Sequence, residues 1–215
     1  KDFISNFHYQ DLLKVSKNTT LADIKRLRCK LSEYRITLEY QRSRGYFLEG
    51  DEADKRRMAF HSISQLLRHA SGNWALNYIA EDWQEKIDLE PVIRIIKAYA
   101  NEHNMHYVEE RIRDSLYLIL YTRIRVARVQ GHLAFTKKQQ EVLLASPLWE
   151  LAEKVYRHLF EDFEIQGEKE EISFIVMLFL GTIEGKWESS EDEALKKVTM
   201  AIISEMERIA VVSFE

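Results

Sequence analysis

Ser16–Arg57 reads SKNTTLADIKRLRCKLSEYRITLEYQRSRGYFLEGDEADKRR, and its two changes of period decide the fold of the N-terminal part. Leu21, Ile24, Leu27 and Leu31 recur at intervals of three and four, which places them on one helical face. Asn18, Thr19 and Thr20 suit a helix N-terminus, because short polar side chains accept from the free N–H groups of a first turn. Asp23, three residues after Thr20, extends this to a capping-box-like pattern. The period then drops to two. Ile36–Gln41 alternates apolar and polar residues, Ser43–Gly45 supplies a turn, and Tyr46–Gly50 forms a second strand.

Working outward, Asp11–Val15 (DLLKV) predicts a short helix before this one. Helix, turn, helix and basic hairpin is the order of a winged helix-turn-helix, which reads DNA by laying its second helix in the major groove. Lys17, Asn18, Thr19 and Thr20 stand at the start of that helix, where side chains reach base edges and the helix N-terminus favours a phosphate. Lys25, Arg28, Arg42 and Arg44 are placed to hold backbone phosphates, which orients a head without specifying sequence. The bland alternative is that Asn18 and Thr20 only cap the helix and that the hairpin is structural. Cys29 has no base beside it and carries no chemistry.

The charge balance agrees with a DNA-reading head. The 215 residues carry a net −4, but Lys1–Arg57 holds thirteen Lys+Arg against nine Asp+Glu, and the remainder eighteen against twenty-six. A basic head on an acidic body fits a DNA reader joined to a regulatory module. One cysteine excludes an internal disulfide and suits a reducing compartment. Phe174–Leu180, the most apolar run, is far shorter than the ~20 residues of a membrane-spanning helix. A cytoplasmic protein that neither spans nor binds a membrane is expected.

Two prolines and seven glycines leave the body free to form long helices. Asp54–His69 reads as a connecting helix that Gly72 interrupts, followed by a short apolar segment with Trp74, Leu76, Ile79 and Trp83. Further helices are expected at Pro91–Ala100, Val108–Arg128, Pro147–Phe163, Glu170–Leu180 and Ser190–Val211. No nucleophile–base pair, Gly-rich phosphate loop or carboxylate–metal cluster is visible, so neither an enzyme nor a cofactor is expected. His103 and His106 stand three apart, without a third metal ligand in sequence.

Asn18–Arg57 resembles the winged helix-turn-helix of bacterial regulators that carry phosphotransferase-system (PTS) regulation domains (PRDs), including sugar-operon activators and the Mga-like virulence regulators. The carriers are Asn18–Thr19, Asp23, Gly45–Tyr46, Leu48, Gly50, Glu52 and Arg56–Arg57. About Leu89 to Trp187 resembles one PTS-regulation domain, a helical bundle, through Arg113–His132 and Glu171–Gly181. In that family each stretch contains a histidine phosphorylated by PTS phosphocarrier proteins. Here the corresponding positions, near Leu120–Arg123 and at Leu178, hold none, so no phosphorylation site is carried over.

The expected architecture is therefore mainly α: a winged helix-turn-helix over 1–53, a connecting segment over 54–88, a PRD-like bundle over 89–187, and a helix over 188–215 that opens a further such domain. The chain is expected to be a fragment. The resemblance implies a DNA-binding regulator of a PTS carbohydrate operon that binds double-stranded DNA as a homodimer. Through the parent protein it also implies PTS phosphocarrier or EIIB-type partners. A virulence-gene regulator and a protein-docking winged helix stand as alternatives.

Overall fold

The computed structural model describes residues 3–69, 72–82, 88–129, 131–160, 167–184 and 200. The chain is mainly helical, with a small antiparallel hairpin after the first helices. It divides into two compact units, a head (Lys1–Met58) and a bundle (Ala59–Glu215).

In the head, α1 spans Asn6–Leu13. It begins five residues before the expected Asp11–Val15 helix, because the N–H of the N-cap Ser5 donates to His8 Nδ1 at 3.1 Å. It ends at Lys14, whose φ of 52° turns the chain out of the helix. α2 spans Lys17–Glu33. Its N-cap is Ser16, not Asn18, Thr19 or Thr20: Ser16 Oγ accepts from the Thr19 N–H at 3.2 Å. Asp23 plays no part in the cap and pairs with Arg26 at 3.3 Å.

The inward face of α2 carries Thr20, Ile24 and Leu31. Leu21 lies about a quarter turn from it and is exposed, as is Leu27. The helix closes on Arg35, the residue after its C-cap, at φ 58°. The Arg35 N–H donates to Ser32 O and the Ile36 N–H to Leu31 O, both at 3.0 Å. These bonds satisfy carbonyls of the last turn and carry Ile36 back into the head core. That core joins Ile24, Leu31, Ile36 and Leu38, with Tyr9, Tyr34, Tyr46, Leu48 and Met58 packed around it.

β1 (Thr37–Gln41) and β2 (Gly45–Glu49) pair antiparallel, with Leu38 opposite Leu48 and Gln41 opposite Gly45. The connecting turn is Arg42–Ser43–Arg44, one residue earlier than the expected Ser43–Gly45. Gly45 therefore belongs to the sheet, at φ 74°, the left-handed residue that closes a three-residue hairpin loop. A Cβ there would lie 2.4 Å from Ile4 O, so glycine also admits the N-terminal segment. Ile4 bridges Gly45 in parallel, and Ile4 O accepts from the Tyr46 N–H at 2.7 Å.

α3 spans Glu52–Leu67. The bundle contains α4 (Gly72–Asp82), α5 (Glu90–Glu102), β3 (His106–Tyr107), α6 (Glu109–Val129), α7 (Lys137–Leu144), α8 (Trp149–Phe160), α9 (Glu168–Leu180) and β4 (Ile183–Glu184). Its main core joins α5, α6, α8 and α9 through residues such as Val92, Ile96, Leu116, Leu151, Val155, Ile175 and Phe179. α9 is buried at every position from Glu171 to Val176, as expected of a helix with packing on all sides. A second core joins Ala59 and Ile63 of α3 to Leu76, Leu118 and Phe174.

Two features of the bundle differ from the sequence expectation. α7 begins at a capping box in which Thr136 Oγ1 accepts from the Gln139 N–H, and Gln139 Oε1 accepts from the Thr136 N–H. β3 pairs with β4, His106 opposite Glu184. In α4, Leu76 turns inward while Trp74 is 67% exposed. The expected helix over 190–211 lies outside the described residues, as does Trp83.

Candidate nucleic-acid interface

Lys17, Asn18 and Thr19 form the exposed first turn of α2. The first N–H groups of a helix have no partner within it, so this end attracts an anion. Ser16 takes up one of them, and its hydroxyl lies 2.9 Å from that of Thr19. Thr20 differs from its neighbours. It is 1% exposed, and its hydroxyl donates to Ser16 O at 3.1 Å. Its side chain packs inside the head and leaves the surface to the three residues before it.

Lys25 is exposed on α2. Arg28 is tied to the hairpin: its Nε donates to the Leu38 carbonyl of β1 at 3.2 Å. Arg42 and Arg44 bracket Ser43 at the exposed hairpin tip, and the Arg44 guanidinium lies over the Phe47 ring at 4.2 Å. That stacking orders the Arg44 stem, and among the described residues Arg44 has no ion pair. The hairpin body is held by Tyr46, whose ring lies 5.9 Å from Tyr9 and 4.9 Å from Tyr40, and whose hydroxyl is 2.9 Å from Asn6 Oδ1. Burial, reinforced by Tyr46, pushes the Tyr9 phenol above its ordinary range, so it stays neutral in this packing.

The acidic and basic residues after the hairpin do different work. Asp54 is buried in the first turn of α3 and faces two arginines, Arg35 Nη2 at 2.8 Å and Arg57 Nη2 at 3.2 Å. Arg57 lies over the Tyr34 ring at 5.2 Å. Arg56 is 1% exposed and donates through Nε to Glu52 Oε1 at 3.1 Å. The Arg35–Asp54 pair and the Arg57–Tyr34 contact fasten the start of α3 to the end of α2, while Glu52–Arg56 and Asp54–Arg57 brace the first turns of α3 itself. The Glu52 and Arg56–Arg57 positions of the quoted pattern are thus structural within the head. Sequence reading missed Asp54 and Arg35; the Asp54–Arg57 spacing of three was the available signal, since it places the two on one helical face.

The histidine-free positions of the bundle are occupied by packed residues. Leu120 and Leu178 pack against the main core, and Thr122 Oγ1 donates to Leu118 O at 2.8 Å. His103 caps α5, stacks on Tyr99 with centroids 4.0 Å apart, and holds Tyr99 O against Nδ1 at 2.9 Å. His106 lies in β3, so the two histidines do not share a helix. Among the described residues no group of three or more His, Cys, Asp or Glu could hold a metal, and no helix is long and apolar enough to cross a membrane.

One bundle carboxylate is electrostatically unusual. Asp114 of α6 is half-buried, and burial pushes its pKa above the ordinary carboxylate value against the opposing influence of Arg113, a hydrogen bond from Ser64 of α3, and Arg68. Among the described residues its Oδ1 has no hydrogen-bond partner, and Arg113 Nη2 lies 3.6 Å from it.

The chain is similar to a curated protein of Bacillus subtilis (strain 168) described as a probable licABCH operon regulator, with 25% identity over 214 residues. That alignment covers 91% of this chain and 31% of the relative, so the chain spans about a third of the relative's length. No family model and no solved structure matches the chain.

Proposed function

We propose that this chain is the DNA-reading head and adjoining regulatory bundle of a bacterial regulator of a carbohydrate operon. The observation that carries the reading is the basic surface of the head. Lys17, Asn18 and Thr19 are exposed at the start of α2, and Arg42 and Arg44 stand at the tip of the hairpin that follows it. The first set fits base edges in a major groove, and the second fits backbone phosphates beside it. Likeness to a probable operon regulator along nearly the whole chain supports the same reading.

In this reading Lys17, Asn18 and Thr19 read bases, Lys25, Arg28, Arg42 and Arg44 hold the backbone, and Thr20 supports the reading turn from inside. The bundle receives a signal and pairs two heads on a two-fold operator. Because Leu120–Arg123 and Leu178 supply no histidine, phosphoryl transfer to those positions is not the signal that this bundle takes.

The test is binding to DNA from upstream of the chain's own gene and of neighbouring transport genes. Lys17→Ala and Asn18→Ala each weaken specific binding by about 1–3 kcal/mol. Their melting temperatures stay at the wild-type value, since exposed substitutions away from buried contacts move stability by within about 0.5 kcal/mol. Unchanged affinity in both variants refutes the reading.

A further inference from the structure

Resting on the DNA-reading function, we infer that Arg28 does two jobs with one guanidinium: it locks the hairpin onto the reading helix and presents an oriented fork to a DNA phosphate. The geometry starts from β1. Its pairing with β2 leaves the outer edge of β1 facing α2. Leu38 is buried on that strand, and its carbonyl accepts from Arg28 Nε at 3.2 Å in a partly buried position. A carbonyl on an unpaired strand edge needs a donor, and α2 supplies one.

This bond uses only the nitrogen nearest the side-chain stem. Among the described residues, neither Nη of Arg28 is engaged, and the residue as a whole is exposed. A planar guanidinium fixed at Nε has its Nη edge aimed in a defined direction, the geometry suited to bidentate phosphate contact. Lys25, one turn earlier on α2, carries a charge with no such anchor. Arg28 is therefore a positioning residue that links the base-reading turn of α2 to the phosphate-holding hairpin, so that both meet DNA in one register. Lysine cannot replace it. A single ammonium either caps Leu38 O or reaches a phosphate, and in each case one job is lost.

The experiment uses the full chain, the tightest duplex recovered from a randomised DNA library, and a scrambled duplex of the same composition. Arg28→Lys lowers the ratio of specific to scrambled affinity about tenfold, within the range of one mismatched base pair. Arg28→Gln, which keeps a neutral donor for Leu38 O, lowers the slope of log affinity against log salt by ~0.9, the loss of one phosphate contact. A wild-type ratio in Arg28→Lys means that charge alone matters, and a wild-type slope in Arg28→Gln means that the bond is only a tether. Either result overturns the inference and leaves the DNA-reading function standing. A fall in melting temperature with ratio and slope both unchanged assigns Arg28 to packing and also overturns it. Recovery of no preferred sequence by the wild-type chain removes the function and the inference together.

Discussion

The head and the bundle handle their charges differently. On the bundle surface, three cations pair along or across helices: Lys154 with Glu150 at 2.8 Å, Arg157 with Glu153 at 2.6 Å and Lys97 with Glu109 at 3.1 Å, while Arg94, Arg111, Lys137 and Lys138 have no ion pair among the described residues. In the head, Lys14 and Arg26 form exposed pairs of the same kind with Asp11 and Asp23, and the buried pairs gather at the start of α3. Lys17, Lys25 and Arg42 have no ion pair among the described residues. Exposed pairs add little to stability, whereas unpaired cations on one side of a small unit raise its affinity for a polyanion. The difference separates residues that build this chain from those available to a partner.

The comparison breaks first in the bundle core. Phe179 is fully buried in α9, and Phe179→Ala costs about 3–5 kcal/mol of bundle stability, measured by urea unfolding. A cost below about 1 kcal/mol contradicts the core described. The next effect separates paired from unpaired cations within the head. Arg56→Ala removes one partner of the Glu52 side chain and costs up to about 3 kcal/mol, while the double variant Glu52→Leu/Arg56→Met recovers part of that loss. Equal losses in the single and double variants mean that the ion pair is not what the single variant breaks.

The smallest effect lies at Asp114. Its raised pKa means that the native chain holds this proton more tightly than the unfolded chain does. The stability it contributes is present below the ordinary value of 3.8 and is lost as pH rises through the folded value. Asp114→Asn escapes that loss. Discounted for its partial exposure to solvent, the substitution stabilises the chain at pH 7 by under about 1 kcal/mol. The gain disappears below pH 3.8. Thermal melts across pH check it, and a destabilised variant at pH 7 contradicts the assigned cause.

Much of the helical fold was legible because its signals are local. The 3.6-residue stripes of α5, α6 and α8 and the apolar run of α9 stand in the sequence, as does the switch to alternation at Ile36. What escaped depends on contacts across the chain. β3 and β4 are two residues each and are defined only by each other. Gly45 reads as a turn residue until Ile4 is seen beside it. Thr20 reads as an exposed residue at the helix start, yet α2 is capped by Ser16, and the helical rotation from that cap carries Thr20 inward beside Ile24. Arg28 reads as one more surface cation, and only the position of the Leu38 carbonyl gives it a distinct place. The exposed Lys17–Thr19 turn and the Arg42–Arg44 tip follow more directly from sequence, because caps and tight turns keep polar residues at the surface.

The proposed hold on DNA lies with the exposed head cations, Arg42 and Arg44 among them. Its most direct test is fluorescence anisotropy of the wild-type chain and of Arg42→Ala/Arg44→Ala on upstream DNA across a salt series. A steep fall of log affinity with log salt is expected for the wild type, and a slope shallower by ~1.8 in the variant, ~0.9 for each lost phosphate contact. The same slope in both proteins, or binding indifferent to salt, contradicts it.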